Sequence, residues 1–250
     1  MRLRALLVLV GVLAAASGVA QSGPDAAANA ARCGSGAHGS QGYAYAGHQS
    51  RTVAHGVRAT IVALRAPTVT DGHVAGWVGV GGPGSGPNGE DQWLQAGIAS
   101  LPGSAPLLYV EITRAGSGPV FRPIRFDVQA GEPHRIAVSE LAGRPSWWRV
   151  LVDGRPVTKP ISLPGSSGRW KPIATAESWN GGRAVCNGFA FRFEQVGVAA
   201  RSGGTWRQFV PGYRFLDRGF ALRQLHPTAD GPRVLPRDRL LPFAFDAVAP

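Results

Sequence analysis

Three polar side chains of this 250-residue sequence have types that could do chemistry, the amide of Gln95 as a hydrogen-bond donor and the carboxyl groups of Glu111 and Glu177 in acid–base steps. Gln95 and Glu111 lie in segments whose alternate residues are aliphatic, and Glu177 ends a short apolar segment. A carboxylate can accept a proton from water and return it to a leaving group. A glutamine amide does not titrate, so it is a fixed donor for a developing oxyanion. Each of these side chains taken alone could simply be solvated.

Aromatic residues are spaced so that they could line one surface with these polar groups. An aromatic-lined groove that carries a few carboxylates is a suitable binding site for a polymer, either a peptide or a polysaccharide. The residues in question are Trp77, Trp93, Tyr109, Trp148, Trp170 and Trp179.

Strands must position these side chains. From Tyr43 onward, short segments rich in Val, Ile, Leu and aromatic residues alternate with Gly, Pro, Asn and Asp clusters. Ten candidate strands between Val57 and Val198, with no helical pattern between them, predict an all-β, antiparallel β-sandwich. The Asp153-Gly154 dipeptide predicts a hairpin with a two-residue type I′ turn. Alternation with a period of two predicts which side chains face the core: Leu94, Ala96, Ile98, Leu108, Val110, Ile112, Phe189, Phe191 and Phe193.

Five sequence blocks follow one another in an order that resembles a known family. They are GWVGVG from Gly76, LQAG from Leu94, YVEI from Tyr109, AGE from Ala130 and TAESW from Thr175. The blocks are similar to those of the glutamic peptidases (eqolisins, peptidase family G1) and their bacterial relatives. The resemblance runs from about residue 43 to about residue 220 and includes the sixteen-residue step from Gln95 to Glu111. It implies a concanavalin A-like jelly roll with the site on a concave sheet face.

The resemblance also implies a catalytic dyad of Gln95 and Glu177, which needs no metal and no organic cofactor. Members of the family usually carry two glutamates in the last block, whereas this chain has Glu177 alone. If Glu177 is aligned with the first of the two, Gly181 takes the catalytic position and the protein would be inactive as a peptidase. We expect the active alignment, in which the supporting and substrate-binding residues are Trp77, Trp93, Tyr109, Glu111, Trp148 and Trp179.

The function predicted from these residues is a secreted endopeptidase that hydrolyses polypeptides with a Gln/Glu dyad at acidic pH. The alternative from another class is a non-catalytic, lectin-like module that stacks Trp93, Trp148 and Trp179 on the sugars of an extracellular polysaccharide or the cell envelope. A glycoside hydrolase is a third possibility, and it would have to use Glu111 and Glu177 as its two carboxyl groups.

The ends of the chain predict export. Residues 1–20 have the basic start, apolar middle and small-residue end of a signal peptide, and residues 21–41 are a Gly/Ala/Ser-rich linker. Residues 42–225 are predicted to form a concanavalin A-like domain that resembles the glutamic peptidases, and residues 226–250 an irregular Pro-rich tail. We expect a monomer that is secreted or associated with the cell envelope, without an integral membrane segment after signal cleavage. In an oxidising compartment, Cys33 and Cys186 are expected to form a disulfide.

Charge and spacing argue against several other classes. The formal net charge is +11, but 24 of the 26 basic residues are arginines, which are scattered without a basic run, so we expect no nucleic-acid partner. The six histidines show no metal-ligand spacing with each other or with the cysteines. The glycine pattern at residues 79–84 is followed by Ser-Gly-Pro-Asn-Gly rather than by a helix, which argues against a dinucleotide site.

Overall fold

The computed structural model describes residues 42–181, 183, 185–225 and 243–249. Apart from one 3₁₀ turn at Pro87–Gly89, the regular elements in these ranges are strands. They are β1 (Tyr43–Ser50), β2 (Gly56–Ala63), β3 (His73–Gly82), β4 (Gln92–Ser100), β5 (Leu107–Thr113), β6 (Val120–Arg125), β7 (Pro133–Glu140), β8 (Trp147–Val152), β9 (Arg155–Pro156), β10 (Ile161–Ser162), β11 (Ile173–Trp179), β12 (Phe189–Ala199), β13 (Trp206–Gln208), β14 (Pro211–Leu216), β15 (Ala221–Leu225) and β16 (Phe243–Ala249).

The strands form two antiparallel sheets. The seven-stranded sheet has the order β14-β1-β11-β3-β4-β5-β6. The nine-stranded sheet has the path β10-β8-β7-β2-β12-β16-β15, with β13 paired to β12 and β9 paired to β8. The all-β antiparallel sandwich predicted from the sequence is confirmed.

One hydrophobic core lies between the sheets and follows the predicted alternation. Leu94, Ala96 and Ile98 of β4 are fully buried there, as is Ile136 of the opposite sheet. The aromatic side of β12 supplies the bulk of the facing layer, where the rings of Phe193 and Phe245 stack with centroids 4.6 Å apart. Aromatic stacking of this kind adds to the stability gained from burial alone.

The predicted hairpin is present between β8 and β9. Asp153 and Gly154 have φ values of 51° and 80°, the left-handed conformations that a type I′ turn requires. The Asp153 carboxylate also accepts a hydrogen bond from the Arg135 backbone N–H at 2.8 Å. The turn is thereby fastened to the start of β7.

The C-terminal region differs from the predicted irregular tail. Residues 243–249 form β16, which is hydrogen-bonded between β12 and β15 within the nine-stranded sheet. Phe243, Phe245 and Ala247 alternate toward the core, which makes this segment an integral strand. Strand β1 was also absent from the predicted set. Residues 226–242 lie outside the described ranges.

The predicted signal peptide and linker, residues 1–41, also lie outside the described residues. Cys33 falls in that segment, so its disulfide with Cys186 stays a prediction. Within the ranges that the structure describes, no helix has the length and apolar character needed to cross a membrane.

Candidate active site

The predicted site residues meet on the outer face of the seven-stranded sheet, the face directed away from the core. Side chains alternate along each strand, so Gln95 and Glu111, which are directly opposite in the β4–β5 register, share that face. Glu177 lies on the same face, between Tyr45 of β1 and Ala75 of β3. Two carboxyl groups and one amide are therefore brought to one surface from three strands.

Gln95 and Glu177 are separated by β3. Gln95 is opposite Gly79 of that strand, whereas Glu177 is opposite Ala75, four residues away. The usual strand spacing and residue rise place their Cα atoms about 16 Å apart along a diagonal of the sheet. Trp77 lies midway on this diagonal, because it is two residues from both Gly79 and Ala75. Gln95 and Glu177 are therefore on opposite sides of β3 and are not direct cross-strand neighbours.

Trp77 forms the floor between them. Its side chain is only 7% exposed, and its indole Nε1 has no hydrogen-bond partner among the described residues. A buried N–H without a partner costs free energy in the folded protein. The supporting role of Trp77 stays a prediction.

Glycines make room for the large side chains on this face. Gly97 lies between Trp77 and Tyr109 in the sheet, and a Cβ at residue 97 would overlap the Gly76 carbonyl oxygen. A Cβ at Gly79 would approach the Gln95 Cβ to 2.8 Å. The alternation of glycine with Trp, Tyr and Gln therefore allows these side chains to pack against the sheet.

The Gln95 amide is held by Tyr109. Gln95 Nε2 donates to the Tyr109 hydroxyl at 3.3 Å, and both side chains are buried. The Tyr109 ring stacks on Phe121 of β6, with centroids 5.0 Å apart. Because an amide nitrogen carries two hydrogens, Gln95 retains a second N–H for another acceptor.

The surroundings of Glu111 raise its pKa. Its Oε1 accepts a hydrogen bond from the Trp93 indole at 3.0 Å. Burial raises the pKa of Glu111, and the negative charge of Glu177 raises it further, while the bond from Trp93 and the charge of His73 act in the opposite direction. Burial raises the pKa of Tyr109 well above its ordinary value, and the charges of Glu177 and Glu111 raise it further. Both shifts favour the protonated forms of Glu111 and Tyr109.

Glu177 lies among aromatic rings at the β1 side of the site. Its Oε1 is 3.2 Å from Nε2 of His73, the first residue of β3. Tyr45 is directly opposite Glu177 in β1, and burial and the Glu177 charge raise the pKa values of both Tyr43 and Tyr45. These phenols are therefore neutral donors and acceptors beside the carboxylate.

Trp148 does not belong to this site. It is 0% exposed in β8 of the nine-stranded sheet, where its ring stacks on Trp170 and its indole donates to the Ser166 hydroxyl at 2.7 Å. The prediction that Trp148 and Trp170 share the polymer-binding surface is wrong. The reason is the alternation of side chains along β8. Trp148 is on the same face of the strand as Val150 and Val152, whose side chains enter the core.

The other predicted aromatic residues do lie on the outer face. Trp93 and Tyr109 are near Gln95 and Glu111, whereas Trp179 ends β11 beside Glu177 and stacks on Tyr43 with centroids 5.9 Å apart. Gly181, the catalytic position in the alternative alignment, lies beyond β11 with a φ of 66°. A side chain there would meet the Asp71 carboxylate rather than the sheet face.

The sequence reasoning missed three residues of the site: Tyr43, Tyr45 and His73. Tyr43 and Tyr45 alternate with alanines, which is an amphipathic strand pattern that could have identified β1. His73 is more than one hundred residues from Glu177, and only the β3–β11 register brings them together. In the described part of the chain, no cluster of three or more His, Cys, Asp or Glu side chains could hold a metal ion.

Neither the models of known protein families nor the curated proteins include a match to this chain. Some solved structures are similar to this chain. Scytalido-glutamic peptidase with a transition state analog inhibitor is 12% identical, with 83% of this chain and 97% of that chain covered and a TM-score of 0.48. SCP-B, a member of the eqolisin family of peptidases in a complex with a tripeptide, is 13% identical, with 84% and 98% covered and a TM-score of 0.43.

A carbohydrate binding module from Bacillus subtilis, CBM66, is also similar, at 13% identity and a TM-score of 0.30 over 57% of this chain and 81% of that chain. Glutamic peptidases, the family that the sequence blocks resemble, are thus among the solved structures to which this chain is similar.

Proposed function

We propose that this protein is a glutamic-peptidase-like endopeptidase that hydrolyses polypeptides at acidic pH. The observation that carries the proposal is the set of groups on the outer face of the seven-stranded sheet: a buried amide held by a tyrosine, one buried and one half-buried carboxyl group, and an indole floor between them. Glu177 is the general base, Gln95 is the oxyanion donor, and Glu111 is a supporting acid.

The hydrolytic step follows from what each group can donate or accept. The Glu177 carboxylate takes a proton from the attacking water as the water oxygen bonds to the peptide carbonyl carbon. The free N–H of Gln95 donates to the oxygen that becomes negative. The proton then passes from Glu177 to the leaving amine, and the C–N bond breaks. The carboxylate is regenerated without any cofactor.

Acidic pH suits this arrangement because the two carboxyl groups differ in their environment. Burial and the charge of Glu177 raise the pKa of Glu111, so Glu111 holds its proton more readily than an exposed glutamate. One acid and one base of the same chemical type can then coexist in one site.

Digestion of a denatured protein substrate tests the proposal. We expect the wild type to produce new peptide termini, detected by mass spectrometry, and Gln95→Ala and Glu177→Ala each to lower the rate by about a hundredfold or more. Matched controls are Gln224→Ala and Glu90→Ala, which change an exposed glutamine and an exposed glutamate elsewhere. Equal digestion by all five proteins would refute the assignment.

A second candidate is polysaccharide binding, which the stacked pair of Tyr43 and Trp179 favours because aromatic faces pack against sugar rings. A glycan array with the wild type and Trp179→Ala distinguishes the two functions. Sugar binding that Trp179→Ala abolishes, without proteolysis by the wild type, would support the lectin-like function. Release of reducing sugars that depends on Glu111 and Glu177 would instead indicate a glycoside hydrolase.

A further inference from the structure

A histidine, His73, contacts the carboxylate of Glu177. His73 Nε2 lies 3.2 Å from Glu177 Oε1, within hydrogen-bonding distance. His73 begins β3 and is opposite Trp179 of β11, so it is a diagonal neighbour of Glu177 on the same sheet face. Such diagonal neighbours are within reach of long side chains.

Aromatic rings fix the direction of the imidazole. The Tyr43 ring meets the edge of His73 at a centroid distance of 5.9 Å and an angle of 65°. The Trp179 ring lies 5.6 Å away, tilted by 44°. The His73 side chain is 25% exposed, so the ring is held on its protein side while remaining accessible to water and protons.

We propose that His73 is a positioning residue for Glu177, an inference that rests on the peptidase function proposed above. The imidazole N–H holds Oε1, so Oε2 is left to accept the proton of the attacking water. When protonated, the ring also places a positive charge 3.2 Å from the Glu177 carboxylate oxygen, an attraction that a neutral side chain at residue 73 would not supply. In this role His73 forms no bond with the substrate. It extends the activity of the site into the acidic range.

The charges around the imidazole are compatible with this role. Asp71, two residues before His73, is already paired with Arg183 at 2.9 Å. The other titratable groups close to the ring are Glu177 of β11, Tyr43 of β1, which contacts it, and Glu111 of β5, on which the His73 charge also acts. Tyr45 of β1 and Tyr109 of β5 lie on the same sheet face, and burial and the Glu177 charge raise their pKa values. Glu177 is therefore the carboxylate with which an imidazolium at this position would pair.

The first test compares profiles of kcat/KM against pH for the wild type, His73→Gln and His73→Leu. Glutamine keeps an N–H donor without the charge, so we expect near wild-type activity at pH 7 and about a tenfold loss at pH 5. Leucine removes both donor and charge, so we expect about a tenfold loss at both pH values, in kcat rather than in KM. The control is His55→Gln, which alters another histidine–glutamate pair, His55 with Glu140, outside the site. The control profile should match the wild type.

Two results would overturn the proposal: wild-type profiles for both His73 variants, or an equal loss for both at every pH, which would indicate a structural role only. A second measurement does not depend on activity. Long-range ¹H–¹⁵N spectra at pH 8.5 should show His73 as the Nε2–H tautomer in the wild type and a mixture of tautomers in Glu177→Leu. Unchanged tautomers would refute the pair itself, whereas inactivity of a wild type with the expected tautomer would refute only the peptidase function.

Discussion

At the scale of single residues, two glutamates of the site have different surroundings. Glu111 and Glu177 are the same amino acid on the same sheet face, but Trp93 donates to the first and His73 contacts the second. Burial together with the neighbouring charge raises the pKa of Glu111. The two glutamates are therefore distinguished by their partners, which the sequence does not specify, since the partners come from other strands.

The raised pKa of Glu111 makes its effect on stability depend on pH. The native state binds this proton more tightly than the unfolded chain does, so the contribution of the neutral carboxyl is complete below the ordinary pKa of glutamate. It is lost as the pH rises through the raised value. We expect Glu111→Gln, which can still accept the Trp93 hydrogen bond, to raise the melting temperature at pH 7.5 but not at pH 3.5. An equal change at both values, measured by calorimetry, would contradict the charge argument.

At the scale of elements, the sequence predicted what depends on local alternation. The inward faces of β4, β5 and β12 are as predicted, because their period of two is set by neighbouring residues. The same rule, applied to Trp148 among Val150 and Val152, would have placed that tryptophan in the core. It would also have identified β16, where Phe243, Phe245 and Ala247 alternate. Pairing between distant strands, such as β3 with β11, has no local signal.

The role of β16 as a core strand gives a stability prediction. Phe245 is 0% exposed and stacks on Phe193, so Phe245→Ala should lower the free energy of unfolding by about 3–5 kcal/mol. The matched control is Phe126→Ala, because Phe126 is 63% exposed and its removal should change stability by about 0.5 kcal/mol or less. Urea unfolding of both variants measures the difference. Similar stabilities would mean that residues 243–249 do not form a core strand.

At the scale of the whole molecule, the two sheets have separate tasks. The nine-stranded sheet supplies the aromatic layer of the core, and the seven-stranded sheet carries the polar groups on its outer face. Export remains a prediction, and removal of residues 1–20 with Arg2 and Arg4 would change the formal net charge from +11 to +9. Scattered positive charge of this size would favour anionic surfaces and acidic substrates over long range, without any basic motif.

The central claim is that Gln95 and Glu177, on strands either side of β3, act on one transition state. Measurement of kcat/KM for Gln95→Ala, Glu177→Gln and the double variant on one peptide substrate tests it most directly. Residues that act as a unit are strongly non-additive, so we expect each single variant to lose about a hundredfold or more and the double variant to lose little beyond that. Losses that multiply in the double variant, or a single variant with wild-type activity, would contradict the claim.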